Sequence, residues 1–337
     1  MPPLLGHEIE WEEDPNIFIF HNEKPGMSKM HVFGLDLKDW VRIDSTYPAH
    51  MELRQKLLAT KRAKVYISSD NKKTTECEQE LLEMLCDYLP NRFPDIFERR
   101  PGGIYNRVTD ETIPIVGDEN AIVRAARLTQ EDWCIMEKSK EGYVLTSGVV
   151  CFPMRWSLVE KFKMIMGNIH KPVDAFTKHL QTKAYSAMER LTPESPIWRA
   201  NWAIFNDLDG PMDLYTPDGH LERKVGGTLT KYRGEATGRD LVFRAEYQTL
   251  RKLPKTECIA FSIRTYQRYL EDLPETDREG LIKAIEGLDG DMAKYKGAEL
   301  WRDAAVKYLS RNKQKDRGLL PMVVLAVITA CAAYYYR

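Results

Sequence analysis

The chain has 337 residues, of which 43% are hydrophobic and 29% charged, a balance that excludes a disordered or low-complexity protein. A net charge of −1 at pH 7 supplies no global basic field to neutralise phosphates, so nucleic acid is not an expected partner. The length suits one large domain or two ordinary ones.

Residues 1–33 mix Pro, Gly and charged side chains without a sustained period and read as an irregular N-terminal arm. Acidic residues stand where an export signal would need a basic start and an apolar core, so no such signal is expected. From residue 34 the pattern firms up with LDLKDWVRID and a helical stretch around His50–Lys61. Leu81, Leu82, Met84, Leu85 and Tyr88 recur at helical spacing, which predicts a helix from Thr74 to Leu89 ending before Pro90. Arg92–Phe97 then leads into a turn at Pro101-Gly102-Gly103.

Residues 121–138 read as a helix, and the β-branched run YVLTSGVVC at 143–151 as a strand. Arg155–Ile165 reads as a helix, Gly167–Pro172 as a loop and 174–190 as a further helix. Ile197–Phe205 is a predicted strand, followed by a polar segment over 206–239. Leu241–Leu250 and Cys258–Thr265 pair as strands around a turn at Pro254, and Gly280–Lys307 is helical with a break near Gly287–Gly290. Helices, then strands interleaved with helices, then a strand pair and more helices imply an α+β fold with a largely antiparallel central sheet.

The C-terminal end has a different texture. Leu319–Tyr336 is eighteen residues without a charge (LLPMVVLAVITACAAYYY). At ~1.5 Å per residue this makes about 27 Å of helix, close to the ~30 Å hydrocarbon thickness. Arg311, Lys313, Lys315 and Arg317 precede it and only Arg337 follows. The reading is a transmembrane helix at 319–336 preceded by a basic juxtamembrane helix or linker at 301–318, with the body in the cytoplasm. Either the endoplasmic reticulum or the mitochondrial outer membrane would accept such a tail. Six cysteines at 77, 86, 134, 151, 258 and 331 form no CxxC unit, and no Asn-x-Ser/Thr acceptor occurs, which suits a reducing compartment.

No phosphate loop, GxGxxG turn, GxSxG elbow or HExxH helix is present. Asp207, Asp209 and Asp213 cluster, but Met212 stands where a calcium loop needs Gly, so an acidic surface turn is the better reading. Any redox chemistry must therefore draw its electrons from elsewhere.

Several separated stretches carry a specific pattern: LDLKDWVRID with Tyr47, YLPNRFPDIF, QEDWCIME, GVVCFPMRWSLVEKF with GNIHKPV, WRANWAIF, AEYQTLRKLPKT, AFSIRTY and MAKYKG. In this order, from Leu35 to about Gly297, the chain resembles the alpha-subunit-like family of haem-dependent oxidative N-demethylases. The resemblance implies a PAS-like antiparallel sheet with flanking helices, with a domain over 34–300 and a PAS-like core at about 140–270. It implies haem b and O2, with a dimethylamine-like small secondary or tertiary amine losing a methyl group as formaldehyde. It further implies a separate reductase carrying FMN and NADPH.

An axial iron donor must be His, Cys, Tyr or Met. His7, His21 and His31 lie in the arm, while His170 of GNIHKPV falls within the resemblance and is the first candidate, with His220 of TPDGH the second. The alternative for His170 is a loop histidine bonded to backbone. Cys151 ends an apolar strand and reads as a small buried hydrophobe. Glu246 in AEYQTL matches the family's Glu and is the candidate catalytic carboxylate meeting the amine, the alternative being an ion pair to Arg264 or Arg251. The family has Arg after that Glu and this chain has Tyr247, which puts the local charge balance in question. Arg199, Arg264 and Arg155 are candidates for the haem propionates. Trp156, Trp198 and Trp202 line a cleft or pack a core. The competing function is a haem-binding sensor or carrier on the same PAS-like fold.

Overall fold

A computed structural model describes residues 32–153, 156–171, 180–206, 238–288 and 290–311. Its strands are β1 (Phe33–Gly34), β2 (Tyr66–Ser68), β3 (Phe97–Arg100), β4 (Gly103–Asn106), β5 (Glu111–Pro114), β6 (Asp132–Ser139), β7 (Gly142–Val149), β8 (Ile197–Asn206), β9 (Leu241–Lys252) and β10 (Ile259–Tyr269). Seven of them form one antiparallel sheet in the order β1-β8-β9-β10-β6-β7-β2, while β3, β4 and β5 form a small second sheet. The helices are α1 (Tyr47–Thr60), α2 (Arg62–Val65), α3 (Lys72–Arg92), α4 (Ala121–Ala126), α5 (Leu158–Lys161), α6 (Met166–Ile169), α7 (Gln181–Glu189), α8 (Glu275–Glu286) and α9 (Gly290–Tyr295), with residues 298–311 also helical. The fold is α+β with antiparallel sheets.

The large sheet has two different faces, and strand alternation decides which residue meets which. Trp133, Ile135, Ala260, Phe243, Ala245 and Tyr247 belong to the main core, with residues of α1, α3, α4 and α8. Cys134, Met136, Leu145 and Ile259 belong to a second core with Leu158, Met166, Ala184 and Met188 from the segment between β7 and β8. Because β6 is buried on both faces, its sequence loses the period of two. That explains why 121–138 reads as one helix when only Ala121–Ala126 is helical and Asp132–Ser139 is a strand.

Other expectations are corrected in the same way. The predicted helix over Arg155–Ile165 is a single turn, α5, because the next residues are drawn onto β7. Lys163 N–H donates to Leu145 O at 2.9 Å, and Leu145 N–H to Met164 O at 3.0 Å. Helix α3 runs through Pro90, which sits in its last turn, and closes with Phe93 N–H on Leu89 O at 2.8 Å. Cys77 of α3 and Cys258 beside β10 form a disulfide across 181 residues of sequence, a pairing that local spacing cannot reveal. No helix among the described residues is long and apolar enough to cross a membrane. The tail at 319–336 and the arm at 1–31 lie outside the described residues.

Candidate functional site

Strand β9 places Arg244, Glu246 and Gln248 at alternate positions, hence on one face. Its neighbours extend that face: Arg199 and Asn201 of β8 stand opposite Gln248 and Glu246, and Thr265 of β10 stands opposite Glu246. The Glu246 carboxylate is buried and satisfied on both oxygens. Oε1 accepts from Arg244 Nε at 3.4 Å and Nη2 at 3.2 Å. Oε2 accepts from Gln248 Nε2 at 2.9 Å and Asn201 Nδ2 at 3.3 Å.

Arg244 also donates to Thr265 Oγ1 at 3.1 Å and to the Phe152 carbonyl. The network continues through Asp132, which accepts from Cys151 N–H and Phe152 N–H at 2.8 Å each and from Arg54 at 2.9 Å. Arg199 donates Nη1 to Gln248 Oε1 at 3.0 Å, while its buried Nε–H has no hydrogen-bond partner among the described residues. Desolvation draws the Arg199 pKa down, opposed by Glu246; its guanidinium stays charged.

His170 closes helix α6. Its Nδ1 lies 2.9 Å from the Met166 carbonyl. A carbonyl can only accept, so the proton sits on Nδ1 and the lone pair on Nε2. Burial pushes the His170 pKa down, the Met166 carbonyl opposes this, and Arg199 and Lys161 add repulsion, so the ring is neutral near pH 7. This is the tautomer a metal-binding imidazole uses, its second nitrogen fixed by backbone.

The other candidates fall elsewhere. Arg264 pairs in register with Tyr247, on the opposite face from Glu246. It is fully buried there, with Asp44 Oδ2 at 2.5 Å and the Thr265 carbonyl at 2.6 Å. Neither Arg264 nor Arg251 pairs with Glu246; the ion pair that forms is with Arg244. Trp198 and Trp202 also face the main core, where Trp198 packs on Tyr247 at 5.1 Å and Trp202 on Phe243 at 6.3 Å. Trp156 packs against the second core. Cys151 is fully buried, and desolvation pushes its thiol up to about 12, as befits a small hydrophobe. His220 and Arg155 lie outside the described residues.

Tyr247, where the family has Arg, is stacked under Arg42 at 3.9 Å and donates to Asp39 O at 3.2 Å. It points away from Glu246, so the departure leaves the charge balance on the Glu246 face unchanged. Arg244, Gln248 and Asn201 were missed in the sequence, although three polar residues at i, i+2 and i+4 in an apolar strand are a usable signal. His50 was missed as well. Its Nδ1 faces Gln130 Nε2 at 3.0 Å and Arg264 Nη1 at 3.3 Å. Arginine only donates, so His50 Nδ1 accepts and the proton sits on Nε2, the reverse of His170.

Among the described residues, no cluster of His, Cys, Asp and Glu could hold a bare metal ion. The site is instead a polar stripe of Arg199, Asn201, Arg244, Glu246, Gln248 and Thr265 on an antiparallel sheet. Residues 31–306 match the family described as haem-dependent oxidative N-demethylase, alpha subunit-like. The chain belongs to that family, one of haem-dependent oxidative enzymes.

Proposed function

We propose that this protein carries out the haem-dependent oxidative N-demethylation of a small secondary or tertiary amine, dimethylamine-like in size, using O2. The observation that carries the reading is the His170 tautomer, set by Met166 O and matching what a haem ligand requires. The strand order β8-β9-β10-β6-β7, with α5 to α7 inserted between β7 and β8, supports a PAS-like core.

The residues present fit a haem. His170 Nε2 would hold the iron, and the unsatisfied Nε–H of Arg199 is a donor for a propionate. When bound, the haem supplies oxygen activation. The overall change is one N-methyl carbon hydroxylated, O2 and two electrons consumed, and the carbinolamine released as formaldehyde and the shorter amine. Glu246 is fixed by hydrogen bonds from Arg244, Gln248 and Asn201. An incoming ammonium meets that carboxylate by replacing the Asn201 donor, the longer of the two contacts on Oε2. Arg244 keeps Glu246 from turning away and is a positioning residue.

The chain carries no nucleotide motif, so electrons come from a separate reductase with FMN and NADPH. The tail at 319–336 is proposed as a membrane anchor with a cytoplasmic body, at the endoplasmic reticulum or mitochondrial outer membrane, on its length and basic flank.

The test is spectroscopic. Full-length protein made with ample haem shows a Soret band that shifts on adding dimethylamine, and His170→Ala loses it. Glu246→Gln keeps the band but loses the amine-induced shift. A colourless wild-type protein overturns the reading; a band indifferent to amines turns it toward a sensor.

A further inference from the structure

Residues 157–171 carry an unusual surface. Six large hydrophobic side chains are well exposed among the described residues, and two of them, Val159 at 44% and Met164 at 37%, lie in this short segment. Around them stand Lys161, Lys163 and Lys171, with Glu160 the only acid in the segment. Three lysines against one glutamate give the segment a net charge of +2 on a chain whose total is −1. A mixed apolar and basic patch of this kind is the pattern of a recognition surface rather than of ordinary solvent-facing helix.

The segment is also stiff. Lys163 adopts a left-handed backbone with φ of 59°, a conformation a non-glycine residue keeps only when its surroundings impose it. Here they do. The backbone bonds between Lys163, Met164 and Leu145 clamp it on both sides, Val144 and Ile165 form an isolated bridge, and Gly167 N–H donates to the Tyr185 hydroxyl at 3.3 Å. A rigid strip therefore runs from the exposed patch directly to His170.

We infer that Val159, Lys161, Lys163, Met164 and Lys171 form the docking platform for the electron donor, a protein with an acidic face that carries a one-electron centre. The inference rests on the haem reading above. It adds the place where electrons enter: the surface of the segment that carries the iron ligand. Charge complementarity selects an acidic partner, and Val159 and Met164 supply the desolvated centre that a transient contact needs.

The experiment uses the full-length haem-loaded protein and a photoreduced bacterial flavodoxin, an acidic one-electron donor, as probe. Haem reduction is followed under carbon monoxide at increasing ionic strength. The triple variant Lys161→Glu/Lys163→Glu/Lys171→Glu reduces about tenfold more slowly at low salt and loses most of the salt dependence. Its Soret band and its reduction by dithionite stay as in the wild type. Val159→Ser, which leaves every charge in place, slows the same step less.

Lys56→Glu/Lys72→Glu, on α1 and α3 in the other layer, is the control and leaves the rate unchanged. Equal rates in the triple variant and the wild type overturn the inference while the haem reading stands. An equal loss in the control pair does the same, because it would mean a diffuse charge effect. A colourless wild type removes both. Binding of the wild type but not the triple variant to phosphatidylserine vesicles, with flavodoxin reduction unaffected, replaces the protein partner with a membrane surface.

Discussion

The two faces of the central sheet use the same residue types and put them to different ends. On the face packed against α1, the fully buried Arg264 meets Asp44, and Gln130 meets His50 and Thr46. On the other face, Arg244 meets Glu246 and Arg54 meets Asp132 with both arginines fully buried, while Arg199 is only partly buried and donates to Gln248. The clearest contrast lies in the two imidazoles. His50 accepts at Nδ1 from Gln130 and Arg264, whereas His170 donates from Nδ1 to the Met166 carbonyl. A polar residue in a β-protein thus declares its role through what its neighbours can donate, not through its identity.

Breaking the buried Arg54–Asp132 pair should cost most. Arg54→Met leaves Asp132 buried without its charge partner and is expected to lower stability by about 3–5 kcal/mol in urea unfolding. A loss below about 1 kcal/mol would show that the Cys151 and Phe152 amides alone satisfy that carboxylate.

His50 tests the α1 face through pH. Desolvation, then Arg264, pushes its pKa down to about 3, against Asp44. The unfolded chain binds the proton that the folded protein refuses, so stability is intact above the ordinary histidine value of about 6.5. It falls as pH drops from there toward the folded value, by up to ~1.4 kcal/mol per pH unit for this one group. His50→Gln should flatten that decline between pH 6.5 and pH 4; an unchanged slope would assign the decline to the carboxylates instead.

The smallest stability effect belongs to the open face. Arg199→Gln should change unfolding free energy by less than about 1 kcal/mol, since only one exchangeable contact to Gln248 is lost. It should nevertheless weaken haem retention in a transfer assay to apomyoglobin. A large stability loss with unchanged retention would make Arg199 one more structural residue and erase the contrast between the faces.

Some of this was legible from sequence because the signals are local. The strand pair around Pro254, the helix carrying Leu81 to Tyr88, and the reading of Glu246 as a buried charge with a purpose all follow from period and composition over a dozen residues. Failures occurred where burial on both faces erased the period, as in β6, or where backbone clamps cut a helix short, as after α5. The choice of Arg199 and His170 drew on the family pattern.

The amino-acid sequence by itself determined the α+β class, the family and the identity of the charged residues in the apolar strands, because hydrophobic periodicity and motif order are written along the chain. Only the tertiary structure decided the partners. Arg244 rather than Arg264 neutralises Glu246, Cys77 reaches Cys258, and His170 rather than His50 keeps its lone pair on Nε2. The physical reason is that strand register assigns each residue a face. Pairing energies depend on which donors and acceptors share that face, and such contacts join residues that sequence distance keeps apart.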